Sequence, residues 1–190
     1  AASISYHLAS GFAEMLDSNQ ATALVMKAIG DGRAAIRYMR KSAANGNMYG
    51  INTDKIFIAG NSAGAIIALH IGFLDEQDIL TPRLDSIMTA NGGFEGFSGN
   101  EGYSSSVSGA VNMAGGMVRL SLIDSDDAPV INFHGVDDDV VPANCDNVFS
   151  GATGGLDVVN VCGSIPIHDK ARSVNGSSKL NTYPGGHVPW

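Results

Sequence analysis

Short apolar runs and longer segments with helical spacing alternate along this chain of 190 residues. The runs that predict strands lie at residues 3–8, 55–59, 107–114, 130–133, 157–161 and 180–183. The segments with helical periodicity lie at residues 22–42, 63–73 and 165–174. Strands that alternate with helices predict an α/β protein, here a three-layer α/β/α sandwich around a mainly parallel sheet.

The segment 74–106 lacks a clear period and is rich in Gly, Ser and Asn, which predicts a long irregular loop. A loop of this length in a compact domain is commonly functional or mobile. Its aromatic residues Phe94 and Phe97, together with Asn61, are candidates for a substrate pocket, although the two rings could equally anchor the loop. Because we find no repeat and no long linker, we expect a single domain over residues 1–190.

The five residues Gly60-Asn61-Ser62-Ala63-Gly64 fit the pattern G-x-S-x-G between a predicted strand and a predicted helix. Strand, tight glycine-flanked turn and helix form the setting of a nucleophile elbow, which exposes the serine hydroxyl above a helix N-terminus. The sequence therefore predicts Ser62 as a nucleophile, with the N–H of Ala63 as an oxyanion donor.

A nucleophilic serine needs a histidine base and an acid that orients the histidine. The strand 130–133 runs into an acidic loop, Asp137-Asp138-Asp139, and acids at the ends of parallel strands face the usual active-site edge. The base candidate is His187, which follows two glycines after the predicted last strand. The other four histidines are weaker candidates: His7, His70, His134 and His168.

Motifs along nearly the whole chain resemble the α/β-hydrolases of the carboxylesterase/lipase type, close to secreted bacterial acetyl- and feruloyl-esterases. The motifs lie at residues 2–8, where His7 replaces an Arg of the family, and at 31–38, 51–64, 134–142 and 186–189. The register His134-Gly135-x-x-Asp138-x-x-Val141-Pro142 selects Asp138 over its neighbours. The resemblance implies a Ser62, Asp138 and His187 triad on an α/β-hydrolase fold.

The same resemblance implies two parts that the sequence lacks: a His-Gly-Gly loop that supplies the second oxyanion donor, and a closing helix after His187. We therefore expect an N- and C-terminally shortened α/β-hydrolase fold. The strand that carries the His-Gly-Gly loop lies between the strands resembling 2–6 and 55–59. A partner chain or a second copy of this chain would have to supply it, or the sheet would have to be rearranged.

The predicted function is hydrolysis of short-chain carboxylic esters through an acyl-enzyme, with a small-molecule ester as the substrate. One alternative is a catalytically impaired fragment that is completed by a partner chain. Another is a peptidase or thioesterase, because the triad chemistry is common to these enzymes on one fold.

The formal charge of −8 argues against nucleic acid or an anionic membrane as a partner. We find no apolar run long enough to span a membrane, no zinc spacing and no EF-hand spacing, so we expect neither a metal nor another cofactor. The two cysteines, Cys145 and Cys162, form either a disulfide or two free thiols. The esterase resemblance favours a secreted or periplasmic location, with a cytoplasmic one left open.

Overall fold

The computed structural model describes residues 1–150 and 159–188, and the chain divides into two compact units. Unit 1 contains Ala1–Ile56 and Asp75–Ser108, and unit 2 contains Phe57–Leu74 and Gly109–Trp190. The single domain expected over residues 1–190 stays a prediction. The predicted strand at 157–161 lies partly outside the described residues, as does Pro189 of the histidine motif.

Unit 1 is helical in its described residues, with α1 at Phe12–Leu16, α2 at Ser18–Ala44 and α4 at Pro82–Ala90. Asp17 caps α2 by accepting hydrogen bonds from two backbone amides of its first turn, which satisfies donors that a helix start leaves free. The buried face of α2 includes two arginines, Arg33 and Arg37, as well as Ala28 and Ile29.

The two buried arginines of α2 bind the segment 94–99. Arg33 lies 3.4 Å from the centroid of the Phe94 ring and also donates to the Phe94 carbonyl. Arg37 pairs with the Glu95 carboxylate and donates to the Gly99 carbonyl. Burial lowers the pKa of Arg33 to about 10, which still leaves it charged at neutral pH. These contacts fix a segment that the sequence predicts as irregular.

Unit 2 contains a four-stranded parallel sheet in the order β1-β2-β3-β6. The strands are β1 at Phe57–Asn61, β2 at Gly109–Met113, β3 at Val130–Gly135 and β6 at Ser178–Tyr183. Helix α3, Ala63–Phe73, packs on β1 and β2, and α5, Ser164–Ser173, packs on β3 and β6. Parallel strands with packed helices confirm the predicted sheet and match the α/β-hydrolase fold.

Helix α3 is apolar except for the buried His70: Ala65, Ala68 and Leu69 are fully buried, and its other positions are Ala, Ile, Gly or Phe. A helix with this composition forms when the protein surrounds it. It supports the sheet directly beneath the turn that contains Ser62.

A small second sheet lies in the same unit, where β4 at Cys145–Asn147 pairs antiparallel with β5 at Asn160–Cys162. Cys145 and Cys162 are register partners in this pair, and they form a disulfide. Val141, Val148 and Val161 make a small apolar cluster beside it. The alternative of two free thiols is therefore wrong.

Two sequence predictions fail in unit 1. Residues 3–8 form no strand, because no strand in the described part of the chain lies beside them whose backbone could complete a ladder. The irregular segment 74–106 contains α4, which Thr81 caps through the amide of Leu84 and which Pro82 starts. Thr followed by Pro is a recognisable helix start, and the Gly-rich composition around it obscured that signal.

Candidate active site

The turn between β1 and α3 holds Ser62 in an unusual backbone conformation. Its φ and ψ are 54° and −122°, a region that non-glycine residues seldom adopt and that marks functional strain. The amide of Ser62 donates to the Met113 carbonyl at 2.8 Å, which ties the turn to the end of β2. Ser62 occupies the N-cap position of α3, yet its side chain caps no amide. The hydroxyl is therefore free to point elsewhere.

Glycine at position 60 is required by the packing of this turn. A Cβ at Gly60 would lie 2.0 Å from the carbonyl oxygen of Gly64, far inside any tolerable contact. Strand end and helix start thus approach so closely that no side chain fits between them. This close approach explains why the first position of the G-x-S-x-G pattern is a glycine.

The acid loop after β3 buries one of its three aspartates. The side chain of Asp138 is 0% exposed, whereas Asp137 and Asp139 are exposed residues. Oδ1 of Asp138 accepts hydrogen bonds from the amides of Val140 and Val141, both at 2.9 Å. These amides fix the carboxylate and compensate for part of its lost hydration.

The loop after β6 brings His187 to both partners that a catalytic histidine needs. His187 Nδ1 lies 2.7 Å from Asp138 Oδ2, and its Nε2 lies 2.8 Å from Ser62 Oγ. A carboxylate only accepts, so Nδ1 carries the proton and Nε2 accepts from the serine hydroxyl. This tautomer leaves Nε2 ready to take the serine proton.

The histidine loop packs against the acid loop through two sets of contacts. A Cβ at Gly135 would lie 2.1 Å from the Gly186 carbonyl oxygen, so the two loops touch where β3 ends. Asp137 exchanges two hydrogen bonds with Gly185: its amide donates to the Gly185 carbonyl, and its carboxylate accepts from the Gly185 amide. Sequence reasoning assigned no role to Asp137, because three adjacent aspartates look like a solvated turn.

Ala63 is the first residue of α3, and the amides of a helix's first turn have no partner within the helix. Its exposed position directly after Ser62 suits the predicted role as an oxyanion donor. Asn61, the last residue of β1, is also exposed. Phe94 and Phe97 belong to unit 1, where Phe94 is held by Arg33 and Phe97 is 80% exposed.

The four remaining histidines lie outside the Ser62–His187–Asp138 chain. His7 binds Asp31 in unit 1, and His70 is buried in α3. His168 pairs with Ser178, and His134 is buried beside Asp138. Among residues 1–150 and 159–188, no three His, Cys, Asp or Glu side chains gather as metal ligands would.

No helix in the described part of the chain is both long and apolar enough to cross a membrane.

The part of the chain that includes α2 and the nucleophile turn matches a known protein family. Residues 8–115, more than half of the chain, match the sequence profile of the family described as BD-FAE, which is esterase-like and has the α/β-hydrolase fold. A search of the curated proteins finds no match.

Solved esterase structures have a similar fold. A truncated form of a carbohydrate esterase from gut microbiota is 20% identical with a TM-score of 0.62, covering 86% of this chain and 62% of that one. The propionate-bound esterase Est2 of the planctomycete Thermogutta terrifontis is 17% identical with a TM-score of 0.57, covering 86% of this chain and 56% of that one. The structure of the same enzyme phosphorylated by paraoxon is 19% identical with a TM-score of 0.53, covering 86% of this chain and 54% of that one. This chain therefore spans less than two thirds of the length of these relatives.

Proposed function

The chain belongs to the BD-FAE family, and from this membership and the geometry of Ser62 we propose that it is a serine carboxylic-ester hydrolase. The observation that carries the proposal is the continuous chain of hydrogen bonds from the Ser62 hydroxyl through His187 to the buried carboxylate of Asp138. All three residues lie in unit 2, after the ends of β1, β3 and β6.

The proposed reaction starts with attack of Ser62 Oγ on the ester carbonyl carbon. His187 Nε2 takes the hydroxyl proton, and the amide of Ala63 donates to the developing oxyanion. The tetrahedral intermediate collapses, the C–O bond to the alcohol breaks, and His187 returns the proton to the leaving alkoxide. A water molecule, deprotonated by His187, then hydrolyses the acyl-serine and restores the enzyme.

Asp138 supports each step without reacting itself. Its carboxylate accepts from His187 Nδ1 and therefore holds the imidazole in the tautomer that presents a basic Nε2 to Ser62. When His187 becomes a cation, the neighbouring negative charge stabilises it. Burial of the carboxylate strengthens this effect, because little water screens the pair.

Short acyl groups are the proposed substrates. The propionate-bound and butyrate-bound Est2 structures of Thermogutta terrifontis contain small carboxylates, and phosphorylation of that enzyme by paraoxon is the chemistry of an activated nucleophile. These facts concern a relative of 15–19% identity, and they guide the choice of probes for this chain.

The test compares Ser62→Ala with Ser173→Ala, which changes an exposed serine near the end of α5. A fluorophosphonate probe should label the unmodified protein and Ser173→Ala, and Ser62→Ala should show neither labelling nor hydrolysis of p-nitrophenyl acetate. Labelling or turnover that persists in Ser62→Ala would exclude Ser62 as the nucleophile.

We also propose that β1 pairs with a strand from a complementing chain or from a second copy in a homo-oligomer. Among the described residues β1 has β2 as its sheet neighbour and no strand on its other side, although it carries the nucleophile turn. An open strand edge presents unpaired amides and carbonyls that favour strand addition. Native mass spectrometry should give a mass above that of one chain, and a monomer at assay concentration would contradict the pairing.

A further inference from the structure

A second histidine lies against the acid loop and has no part in the proton transfers described above. His134 is 0% exposed, and it is the penultimate residue of β3, four positions before Asp138. Its Nε2 lies 2.9 Å from the Val141 carbonyl oxygen and 3.3 Å from Asp138 Oδ2. Its Nδ1 lies 2.6 Å from the hydroxyl of Ser164, the first residue of α5.

The partners of His134 determine where its proton lies. A carbonyl oxygen only accepts, so Nε2 must carry the proton and donate it to Val141. Nδ1 is then an acceptor, and the Ser164 hydroxyl donates to it. Ser164 Oγ in turn accepts from Asn112 Nδ2 at 3.0 Å. From Asn112 through Ser164 and His134 to Val141, each donor therefore has an acceptor, and this buried chain of hydrogen bonds fixes the orientation of the imidazole.

The contact with Val141 bears directly on the acid. The Val141 amide donates to Asp138 Oδ1, while the Val141 carbonyl accepts from His134. The same peptide segment therefore joins the carboxylate to the imidazole. The N–H edge of His134 also faces the second carboxylate oxygen, Oδ2, which is the oxygen that His187 uses. A shift of His134 would therefore displace Val141, whose amide binds Oδ1 of Asp138, and would also remove the N–H edge that faces Oδ2.

The charge state of His134 suits this task. Burial lowers the pKa of His134 and outweighs the opposing effects of the Val141 carbonyl and the Asp138 charge. The ionisable groups that act on it are Asp138 and His187. A neutral His134 offers one N–H without a full positive charge. The negative charge of Asp138 consequently remains available to stabilise the His187 cation.

We propose that His134 is a positioning residue, which holds the Asp138 loop, and through it His187, in the geometry of the reaction. It acts through Asp138 and does not touch the reacting atoms. The inference rests on the proposed function of the Ser62 site. It extends that site inward, from the acid loop through β3 to the start of α5.

Two substitutions at position 134 separate positioning from simple packing. The amide nitrogen of Gln reaches the place of Nε2, so His134→Gln keeps a donor for Val141. The amide of Asn reaches only the place of Nδ1, so His134→Asn keeps the Ser164 contact and loses the donor. The comparison variant is His168→Gln, at a histidine paired with Ser178 on β6.

The measurement is steady-state hydrolysis of p-nitrophenyl acetate per active site, counted by the burst of p-nitrophenol, with thermal unfolding in parallel. We expect His134→Asn to lower kcat about 10- to 100-fold at nearly unchanged KM, the effect of a displaced catalytic group. We expect His134→Gln to recover most of this loss, and His168→Gln to match the unmodified protein. A kcat for His134→Asn equal to that of the unmodified protein, or equal losses for Asn and Gln, would overturn the proposal.

If His134→Asn does not fold, Ser164→Ala replaces it, because it removes the hydroxyl that orients the imidazole and keeps the ring itself. A lower kcat at constant KM is then expected, and an unchanged kcat would overturn the proposal. Failure of the underlying function has a different signature: the unmodified protein would show no labelling of Ser62 by a fluorophosphonate.

Discussion

The imidazole Nε2 of His187 lies 2.8 Å from the hydroxyl of Ser62, although 125 residues separate them along the chain. Four parallel strands account for this contact, because Ser62 follows β1 and His187 follows β6, and all their carboxyl ends meet at one edge of the sheet. The contact depends on the acid loop and the histidine loop, which approach each other at Gly135 and Gly186.

The first prediction concerns which aspartate supports His187. Asp138→Asn should lower kcat for p-nitrophenyl acetate by about 10⁴-fold, because an amide can donate to Nδ1 and stabilise the wrong tautomer. Asp139→Asn is the matched control, since Asp139 is the adjacent aspartate and its side chain is exposed. It should retain nearly full kcat. Similar losses in the two variants would show that the loop as a whole, and not one carboxylate, is needed.

The second prediction concerns the tight turn before Ser62. Gly60→Ala should prevent correct folding of the elbow and abolish fluorophosphonate labelling, because the new Cβ would lie 2.0 Å from the Gly64 carbonyl oxygen. Gly72→Ala offers the matched control within α3, where the Cβ would meet Ala110 Cβ at an ordinary 3.4 Å.

Gly72→Ala should also have a higher free energy of unfolding than the unmodified protein, by up to about 1 kcal/mol, because alanine favours helix more than glycine does. Chemical denaturation measures this difference. Retained labelling in Gly60→Ala would mean that the turn relaxes without moving the nucleophile.

The third prediction separates the two aromatic residues that the sequence suggested for a pocket. Phe94→Ala should lower the free energy of unfolding by about 2 kcal/mol, because it removes the ring that lies against Arg33. Phe97→Ala should cost little stability, since this side chain is 80% exposed. If Phe97 contacts substrate, its loss will raise KM in hydrolysis assays with aromatic esters, and an unchanged KM will remove it from the pocket.

The fourth prediction is a pH dependence in unit 1. Burial acts to raise the pKa of Asp31, but hydrogen bonds from Ser98 and His7 outweigh it, and the net pKa falls below its ordinary value of 3.8. A carboxyl group with a depressed pKa in the folded state stabilises the protein above the unfolded-state value. That contribution disappears as the pH falls through the folded-state value.

Asp31→Asn should therefore lower the free energy of unfolding at pH 7, and the gap to the unmodified protein should close as the pH falls from 7 through the lowered folded-state pKa of Asp31. Urea denaturation over this pH range provides the measurement. A gap of constant size would attribute the effect to packing and not to the ionised carboxylate.

The order of the four parallel strands and of helices α3 and α5 in unit 2 could be predicted from local sequence, because each signal depends on neighbouring residues. The helix predicted at 63–73 has the bounds Ala63–Phe73 in the structure, since an apolar run between a glycine turn and a polar loop leaves little choice. The prediction for residues 3–8 failed because a strand needs a partner, and no local pattern reveals whether one is present.

The site was predictable in outline, and its support was not. Three signals, the glycine-flanked serine, the His-Gly-x-x-Asp register and the histidine after two glycines, identified three residues that the structure brings into hydrogen-bond contact. The roles of Asp137 and Ser164 depend on contacts between segments 48 and 30 residues apart. Such contacts arise from the sheet order and leave no trace in a single sequence.

The chain leaves unit 2 directly after α3 and re-enters it at the start of β2. Ser62, His187 and Asp138 therefore all belong to unit 2, while the intervening 34 residues, Asp75–Ser108, belong to unit 1. A protein in which segment 75–108 is exchanged for one of different length or composition would therefore retain all three residues of the proton-transfer chain and the strands that precede them.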